Sequence, residues 1–216
     1  MKQIAIDGPA GSGKGTITKL VSERCNLVNI DTGVTYRSVA LATIENNIDI
    51  SNEEKIVELA KTLTIEYENG KTYLNGKDVS DKIRSKEVTE LVYKVSRINE
   101  VRKLMVELQR KLASNKDVIM EGRDITTVVL PNANYKFYLD ASVEERAKRR
   151  FIQNKEKGID IPLEEIKKNI EERDYNDMNK DFGALMRTEE QIYIDTTNMT
   201  IDEVVEKIVN IIGEWN

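Results

Sequence analysis

The stretch GPAGSGKGT, residues 8–16, follows the apolar run QIAID (3–7) and leads into a helical pattern from Gly13 to Cys25. A strand, a glycine-rich loop and a helix in that order let backbone N–H groups wrap a polyphosphate at the positive end of the helix. Lys14 reaches the terminal phosphates as a point charge. A plain strand-to-helix connection needs neither that Lys nor glycines at 8, 11, 13 and 15. Gly8, Pro9, Ala10, Gly11, Ser12, Gly13, Lys14, Gly15 and Thr16 are therefore expected to bind the phosphates of a nucleotide. The usual form of such a loop places Ser or Thr directly after the Lys; here Gly15 intervenes and the hydroxyl comes at Thr16.

Outward from the loop, short apolar runs alternate with amphipathic stretches. LVNID (27–31), DVIME (117–121), YKFYL (135–139) and QIYID (191–195) read, like QIAID, as buried strands. Capping boxes are expected at Ser51-x-x-Glu54, Ser142-x-x-Glu145 and Thr200-x-x-Glu203. The alternation predicts an α/β fold, a five-stranded parallel sheet with helices on both faces. One segment breaks the rhythm: TIEYENGKTYLNGKDV (64–79) carries two Asn-Gly turns between β-rich runs, the signal for antiparallel hairpins. A small β insert is expected over 62–84, followed by a long helical region from about Ser85 to Ala113. No internal repeat or linker divides the chain, so residues 1–216 are expected to form a single domain.

Composition limits the chemistry. Apolar residues make up 39% and charged residues 33%, and no apolar run approaches the roughly 20 residues needed to span a bilayer. The start MKQIAIDG is too short in apolar residues for a signal peptide, and Cys25 has no second Cys to pair with, so a reduced, cytoplasmic setting is expected. The chain contains no His, which removes His-based acid–base catalysis, Ser/His triads and His-containing metal sites; no metal is expected on His or Cys ligands. A net charge of −5 argues against a nucleic-acid partner bound by bulk attraction, and no membrane partner is expected. Chemistry is left to Lys, Arg, Asp, Glu and backbone amides.

Arg37 lies beyond the second strand and Arg123 just past the third, on the carboxyl edge where open α/β sheets bind ligands. Two guanidinium forks there suit a phosphate dianion, although a solvated surface Arg is the commoner fate. Asp124 follows Arg123 and has an ion pair or a helix cap as its plain alternative. Arg173 and Asp177 sit four apart on a helical stretch, where a surface pair is worth only about 0.3–0.5 kcal/mol. Arg146, Arg149 and Arg150 cluster on the preceding helix, as a solvated basic face or as partners of a donor nucleotide.

GKGT resembles the loop of the nucleoside monophosphate kinases, where Gly after the Lys is usual, the Thr one place later lies near the phosphates, and Mg²⁺ is held partly through water and the nucleotide. DTGVTYR (31–37) is similar to the cytidylate kinase pattern D-[ST]-G-x-x-Y-R, EGRDITTVVLP (121–131) to G-R-D-x-G-T-V-V-x-P, and EERDYNDMNK (171–180) to the lid segment R-D-x-x-D-x-x-R. The match runs nearly end to end, and the insert at 64–79 sits where that family, unlike adenylate kinases, enlarges its monophosphate-binding region. The resemblance implies a P-loop kinase fold with a helical lid over about 146–182, ATP on residues 8–16 with Arg149 beside it, and Mg²⁺ near Thr16. It implies CMP or dCMP on Thr32, Tyr36, Arg37, Ser96, Arg102, Arg123, Asp124, Arg173, Asp177 and Lys180. Within that set Asp124, Ser96 and Arg102 are implied to read the cytosine edge and Arg173 and Asp177 to contact ribose and phosphates; Lys14 of the loop, with Arg123 and Arg173, is implied to act in catalysis. The chain departs from the family at Lys180 (usually Arg), at Thr126 (usually Gly), at GAL 183–185 (usually S-P-L), and in the shortened stretch SRINEVR (96–102).

Phosphoryl transfer from a nucleoside triphosphate to a monophosphate needs positioning and charge more than a base, since the acceptor oxygen is already ionised. The expected reaction is ATP + CMP ⇌ ADP + CDP, with Mg²⁺ as cofactor and the enzyme a monomer. A kinase preferring UMP or another acceptor is the alternative within this class. A non-catalytic P-loop switch is the alternative from a different class; against it, the chain has no Asn-Lys-x-Asp motif.

Overall fold

The computed structural model describes residues 1–68, 70–156 and 158–213. Strand β1 (Gln3–Asp7) runs into the glycine loop and helix α1 (Lys14–Cys25), followed by β2 (Val28–Asp31), α2 (Gly33–Glu45) and α3 (Glu53–Thr62). Three short strands, β3 (Ile65–Glu68), β4 (Lys71–Leu74) and β5 (Lys77–Asp78), precede α4 (Lys86–Val95) and α5 (Asn99–Ala113). The chain then forms β6 (Val118–Gly122), one π-helical turn (Ile125–Val129), β7 (Tyr135–Asp140), α6 (Val143–Glu156), α7 (Leu163–Met178), β8 (Ile192–Asp195) and α8 (Ile201–Ile212).

The five expected strands form one parallel sheet in the order β2-β6-β1-β7-β8, with β1 at its centre. Alternate side chains of a strand share a face. Ile4 and Ile6 of β1 accordingly join Ile119, Phe137, Leu139 and Ile194 from the neighbouring strands in a core closed by Ile17 and Val21 of α1 and Val204, Val205 and Ile208 of α8. The insert folds as a separate three-stranded antiparallel sheet, β3-β4-β5. Its Asn75-Gly76 turn has both residues at positive φ, 50° and 76°, as a two-residue hairpin turn requires. The other expected turn includes Asn69, which lies outside the described residues.

The chain divides into two compact units, residues 1–29 with 116–216, and residues 30–115. The second has its own core, in which Val34 and Val39 of α2, Ile56 of α3, Leu74 of β4, Val88 and Val95 of α4, and Val101 and Met105 of α5 are buried. Helices α6 and α7 share a smaller cluster of Ala147, Ile166 and Ile170.

Three local expectations are corrected. The box at Ser51 does not form: Asp49 Oδ1 takes the Ser51 N–H in a tight turn, leaving Ser51 outside the helix, and Asn52 caps α3 by accepting from Lys55 N at 3.1 Å. The helical region 85–113 is broken at residues 96–98. The Ser96 hydroxyl donates back to Tyr93 O at 3.1 Å, and the Ser96 carbonyl, which a continuous helix would pair four residues on, accepts from Arg102 Nη1 at 3.0 Å. At Ser142 half a box forms: its hydroxyl accepts from Glu145 N, while Glu145 carboxylate accepts from Arg149. Thr200 and Glu203 make the full reciprocal box on α8.

Candidate active site

The loop between β1 and α1 is built by backbone conformations that side chains oppose. Gly8 has φ 154°, and a Cβ there would stand 2.0 Å from the carbonyl oxygen of Leu139. Gly13 caps α1 in the left-handed region at φ 88°. Lys14, the first residue of α1, is 5% exposed and folds back over the loop. Its Nζ donates to Gly8 O at 2.8 Å, Pro9 O at 2.7 Å and Ser12 Oγ at 3.1 Å. Burial, with the Arg123 charge adding to it, pushes the Lys14 ammonium down to about 7. Gly15 and Thr16 are exposed at the start of the helix.

Arg123 stands one residue past β6, and its Nε donates to Asp177 Oδ2 at 2.7 Å. Asp177, near the end of α7, accepts Lys180 Nζ on its other oxygen at 2.7 Å and has Arg173 Nε 4.0 Å away. One carboxylate thus gathers three of the expected cations. Burial alone raises a carboxyl; here Arg123, Lys180 and Arg173 outweigh it and hold Asp177 well below the usual carboxylate range. Arg123 stays charged because Asp177 offsets the cost of its burial. Asp124 is buried and opens the π-helical turn, its carbonyl accepting from Val128 N and Val129 N.

The three arginines of α6 differ from a uniform basic face. Arg150 is exposed. Arg149 donates to Glu145, to Thr196 Oγ1 at 3.1 Å and to Thr196 O at 2.6 Å, with one guanidinium nitrogen 3.9 Å from where a Cβ on Gly13 would sit. Arg146 is a buried tie: it donates to Ala10 O at 3.0 Å in the loop and to Ala141 O at 2.9 Å, and pairs with Asp174 Oδ2 of α7 at 2.6 Å. Nothing in the local pattern distinguishes Arg146 from its neighbours.

In the unit of residues 30–115, Thr32 caps α2 and its carbonyl accepts from Thr35 N and Thr35 Oγ1. Tyr36 is buried, with the Arg102 guanidinium 5.3 Å from its ring centroid. Arg102 also holds Ser96 through its carbonyl, so Tyr36, Ser96 and Arg102 come together despite the shortened stretch. Arg37 donates to Ile83 O at 3.1 Å and Thr89 Oγ1 at 3.0 Å. Gln109 of α5, which no motif singles out, is buried and donates to Thr35 Oγ1 at 2.9 Å.

A family model for cytidylate kinase matches residues 4–214. The chain belongs to the cytidylate kinase family. It is 49% identical to the cytidylate kinase of Alkaliphilus oremlandii over 97% of each chain. It is 48% identical to that of Lactobacillus johnsonii, covering 98% of this chain and 94% of the other, and 46% identical to that of Fusobacterium nucleatum, covering 95% and 94%. Among solved structures, an uncharacterized protein from Eubacterium ventriosum superposes with a TM-score of 0.56 at 12% identity over 98% of both chains. Shikimate kinase from Acinetobacter baumannii in complex with shikimate gives 0.50 at 15% identity over 98% and 93%. At those identities the structural likeness carries the fold alone. As a cytidylate kinase family member the chain is a nucleoside monophosphate kinase, a phosphotransferase, which sets aside the non-catalytic switch. No helix among the described residues is long and apolar enough to cross a membrane.

Proposed function

We propose that the enzyme transfers the γ-phosphoryl group of ATP to CMP, and to dCMP, releasing ADP and the nucleoside diphosphate. A phosphate oxygen of the acceptor attacks the γ-phosphorus and the bond to the β–γ bridging oxygen breaks; neither step requires a protein base, because the attacking oxygen is already ionised. The observation that carries the reading is the group of Arg123, Arg173 and Lys180 gathered around Asp177, in a chain whose glycine loop holds Lys14. Lys14, Arg123 and Arg173 stabilise charge on the transferring group. Residues 8–16 and Arg149 take the donor.

On the acceptor side, Arg37 binds the phosphate, Thr32, Tyr36 and Lys180 position the nucleotide, and Arg173 and Asp177 contact ribose and phosphate. Asp124, Ser96 and Arg102 select the base: a polar pocket rejects bases that leave its groups unpaired. The donor set suits Mg²⁺ carried in on the nucleotide. Thr16 offers a hydroxyl, and Glu121 Oε1 lies 3.1 Å from where a Cβ on Gly15 would stand, so a few hard oxygens face the loop. No group of three or more His, Cys, Asp or Glu among the described residues is placed to hold an ion without the nucleotide's own oxygens. Bound there, Mg²⁺ supplies neutralisation of the donor phosphates. The lone Cys25 suits a reduced cytoplasmic setting, and a monomer suffices for this chemistry.

The alternative acceptor, UMP or another monophosphate, turns on the stretch 96–102, where the Ser96 hydroxyl donates to Tyr93 O and the Ser96 carbonyl is held by Arg102. ADP release with ATP and Mg²⁺ against CMP, dCMP, UMP, AMP and no acceptor decides between them. CMP and dCMP turnover well above the rest is expected; equal turnover of UMP or AMP overturns the base assignment. In Asp124→Ala the gap between CMP and UMP should narrow, and equal losses on both would make Asp124 structural.

A further inference from the structure

Three side chains far apart in sequence, Asp7, Thr126 and Gln191, form a buried hydrogen-bonded network beside the site. Asp7, the last residue of β1, is fully buried and accepts three bonds: Ile125 N on Oδ1 at 2.8 Å, Thr126 N on Oδ2 at 2.9 Å, and the Thr126 hydroxyl on Oδ2 at 2.6 Å. Having donated to Asp7, that hydroxyl accepts from Gln191 Nε2 at 2.5 Å. Gln191 is buried just before β8, its Oε1 accepting from Thr188 N at 2.7 Å and its Nε2 also reaching Met186 O at 3.3 Å. The Thr126 hydroxyl is the group of this network that touches both other side chains.

The network acts on the backbone immediately after the Arg123-Asp124 pair. Ile125 and Thr126 open the π-helical turn that Asp124 caps, and Asp7 ties both of their N–H groups to the end of β1, one residue before Gly8. A backbone held by two N–H bonds can still pivot about them; the hydroxyl adds a third anchor, and Gln191 fixes the direction in which it donates. We infer that Thr126 and Gln191 are positioning residues for the acceptor nucleotide, holding Arg123 and Asp124 in place through Asp7. This rests on the reading above that Arg123 and Asp124 contact the acceptor. Misplacement of such groups by about 1 Å is enough to cost up to 10²-fold in rate.

The test compares Thr126→Val, which keeps the shape and removes the hydroxyl, with Thr126→Ser, which restores it, and with Gln191→Ala. KM for the acceptor, KM for ATP, kcat and Tm are measured for each. Thr126→Val is expected to raise the acceptor KM about tenfold, the size of one lost hydrogen bond to a charged group. The ATP KM should stay within about twofold, with Ser returning the acceptor KM to about the wild-type value. Gln191→Ala should raise the acceptor KM severalfold, and adding it to Thr126→Val should raise it no further, since both act through one hydroxyl. Equal rises in both KM values, a change in Tm alone, or a failure of Ser to restore would each overturn the inference. If Thr126→Val does not fold, Gln191→Ala and Thr126→Ser decide it on the same KM comparison. The acceptor is whichever monophosphate the wild-type enzyme turns over best, so an error in the base assignment shows in the wild type and stays separate from the variants.

Discussion

Replacing Asp177 with Asn keeps the side-chain shape and removes one negative charge from between two close cations. Arg123 Nε and Lys180 Nζ each lie 2.7 Å from its oxygens, with side-chain exposures of 18% and 6% against 11% for Asp177. An Asn can accept from one of them and must turn an N–H toward the other. Removing one partner of a buried pair leaves an uncompensated charge and costs about 3–5 kcal/mol; the residual exposure here places the expected loss near the lower end. For a chain of this length each kcal/mol moves Tm by about 2–4 °C, so Asp177→Asn should melt roughly 6–12 °C lower in scanning calorimetry at neutral pH. The control is Glu100→Gln, which breaks the Lys103–Glu100 pair: its 2.6 Å contact is as short, but both side chains are more than half exposed. Pairs of that kind are worth about 0–1 kcal/mol, so the control should move Tm by no more than about 4 °C. Equal shifts in the two variants, or a shift under 2 °C in Asp177→Asn, would refute the assignment of Asp177 as the buried anchor. The contribution has a sign in pH as well. Because Arg123, Lys180 and Arg173 depress the folded pKa below the unfolded one, it is present above the ordinary carboxylate range and is lost only as pH falls through the depressed value.

Lys14→Ala should lower kcat by on the order of 10²–10³ with every acceptor, as expected when a preorganised cation is removed from a transferring phosphoryl group; unchanged turnover would detach the loop from catalysis. Arg37→Ala should raise the monophosphate KM about tenfold or more while the ATP KM holds, and an unaffected acceptor KM would make Arg37 a structural residue, as its bonds to Ile83 and Thr89 already allow. Asp7 is displaced in the opposite direction from Asp177: burial pushes it up from 3.8 to about 6, so the fold favours its protonated form. Its contribution to stability is full below about pH 4 and declines as pH rises through 6, by about 3 kcal/mol in all. Urea unfolding of wild type and Asp7→Asn at pH 4.5 and 7.5 should show the wild-type advantage shrinking at the higher pH, and a constant or growing advantage would contradict the sign.

The geometry of the glycine loop, the five strands and the β insert were legible because their signals are local. Gly8 to Thr16 carries its own geometry, each strand is a short apolar run, and Asn75-Gly76 codes its turn in two residues. The losses came where a neighbour competed for the same group. Asp49 took Ser51 out of its expected box, and Arg102 took the Ser96 carbonyl and split one expected helix into α4 and α5. Arg146 looked like Arg149 and Arg150 in the sequence, and became a buried tie because Ala10 and Asp174 lie opposite it in the fold. The Asp7–Thr126–Gln191 network joins three segments that no periodicity relates.

The central place of β1 in the sheet bears on how the chain is made. Both neighbours of β1 are encoded late: Gln3 meets Val118 and Ile4 meets Tyr135. During synthesis at about 5–20 residues per second, the apolar run Ile4-Ala5-Ile6 waits on the order of ten seconds for a partner strand. The segment 30–115, whose core is drawn entirely from itself, is complete before that wait ends. On the ribosome the middle of this protein can therefore fold ahead of its beginning, and the first strand is the part that needs shielding until residues 118–140 emerge.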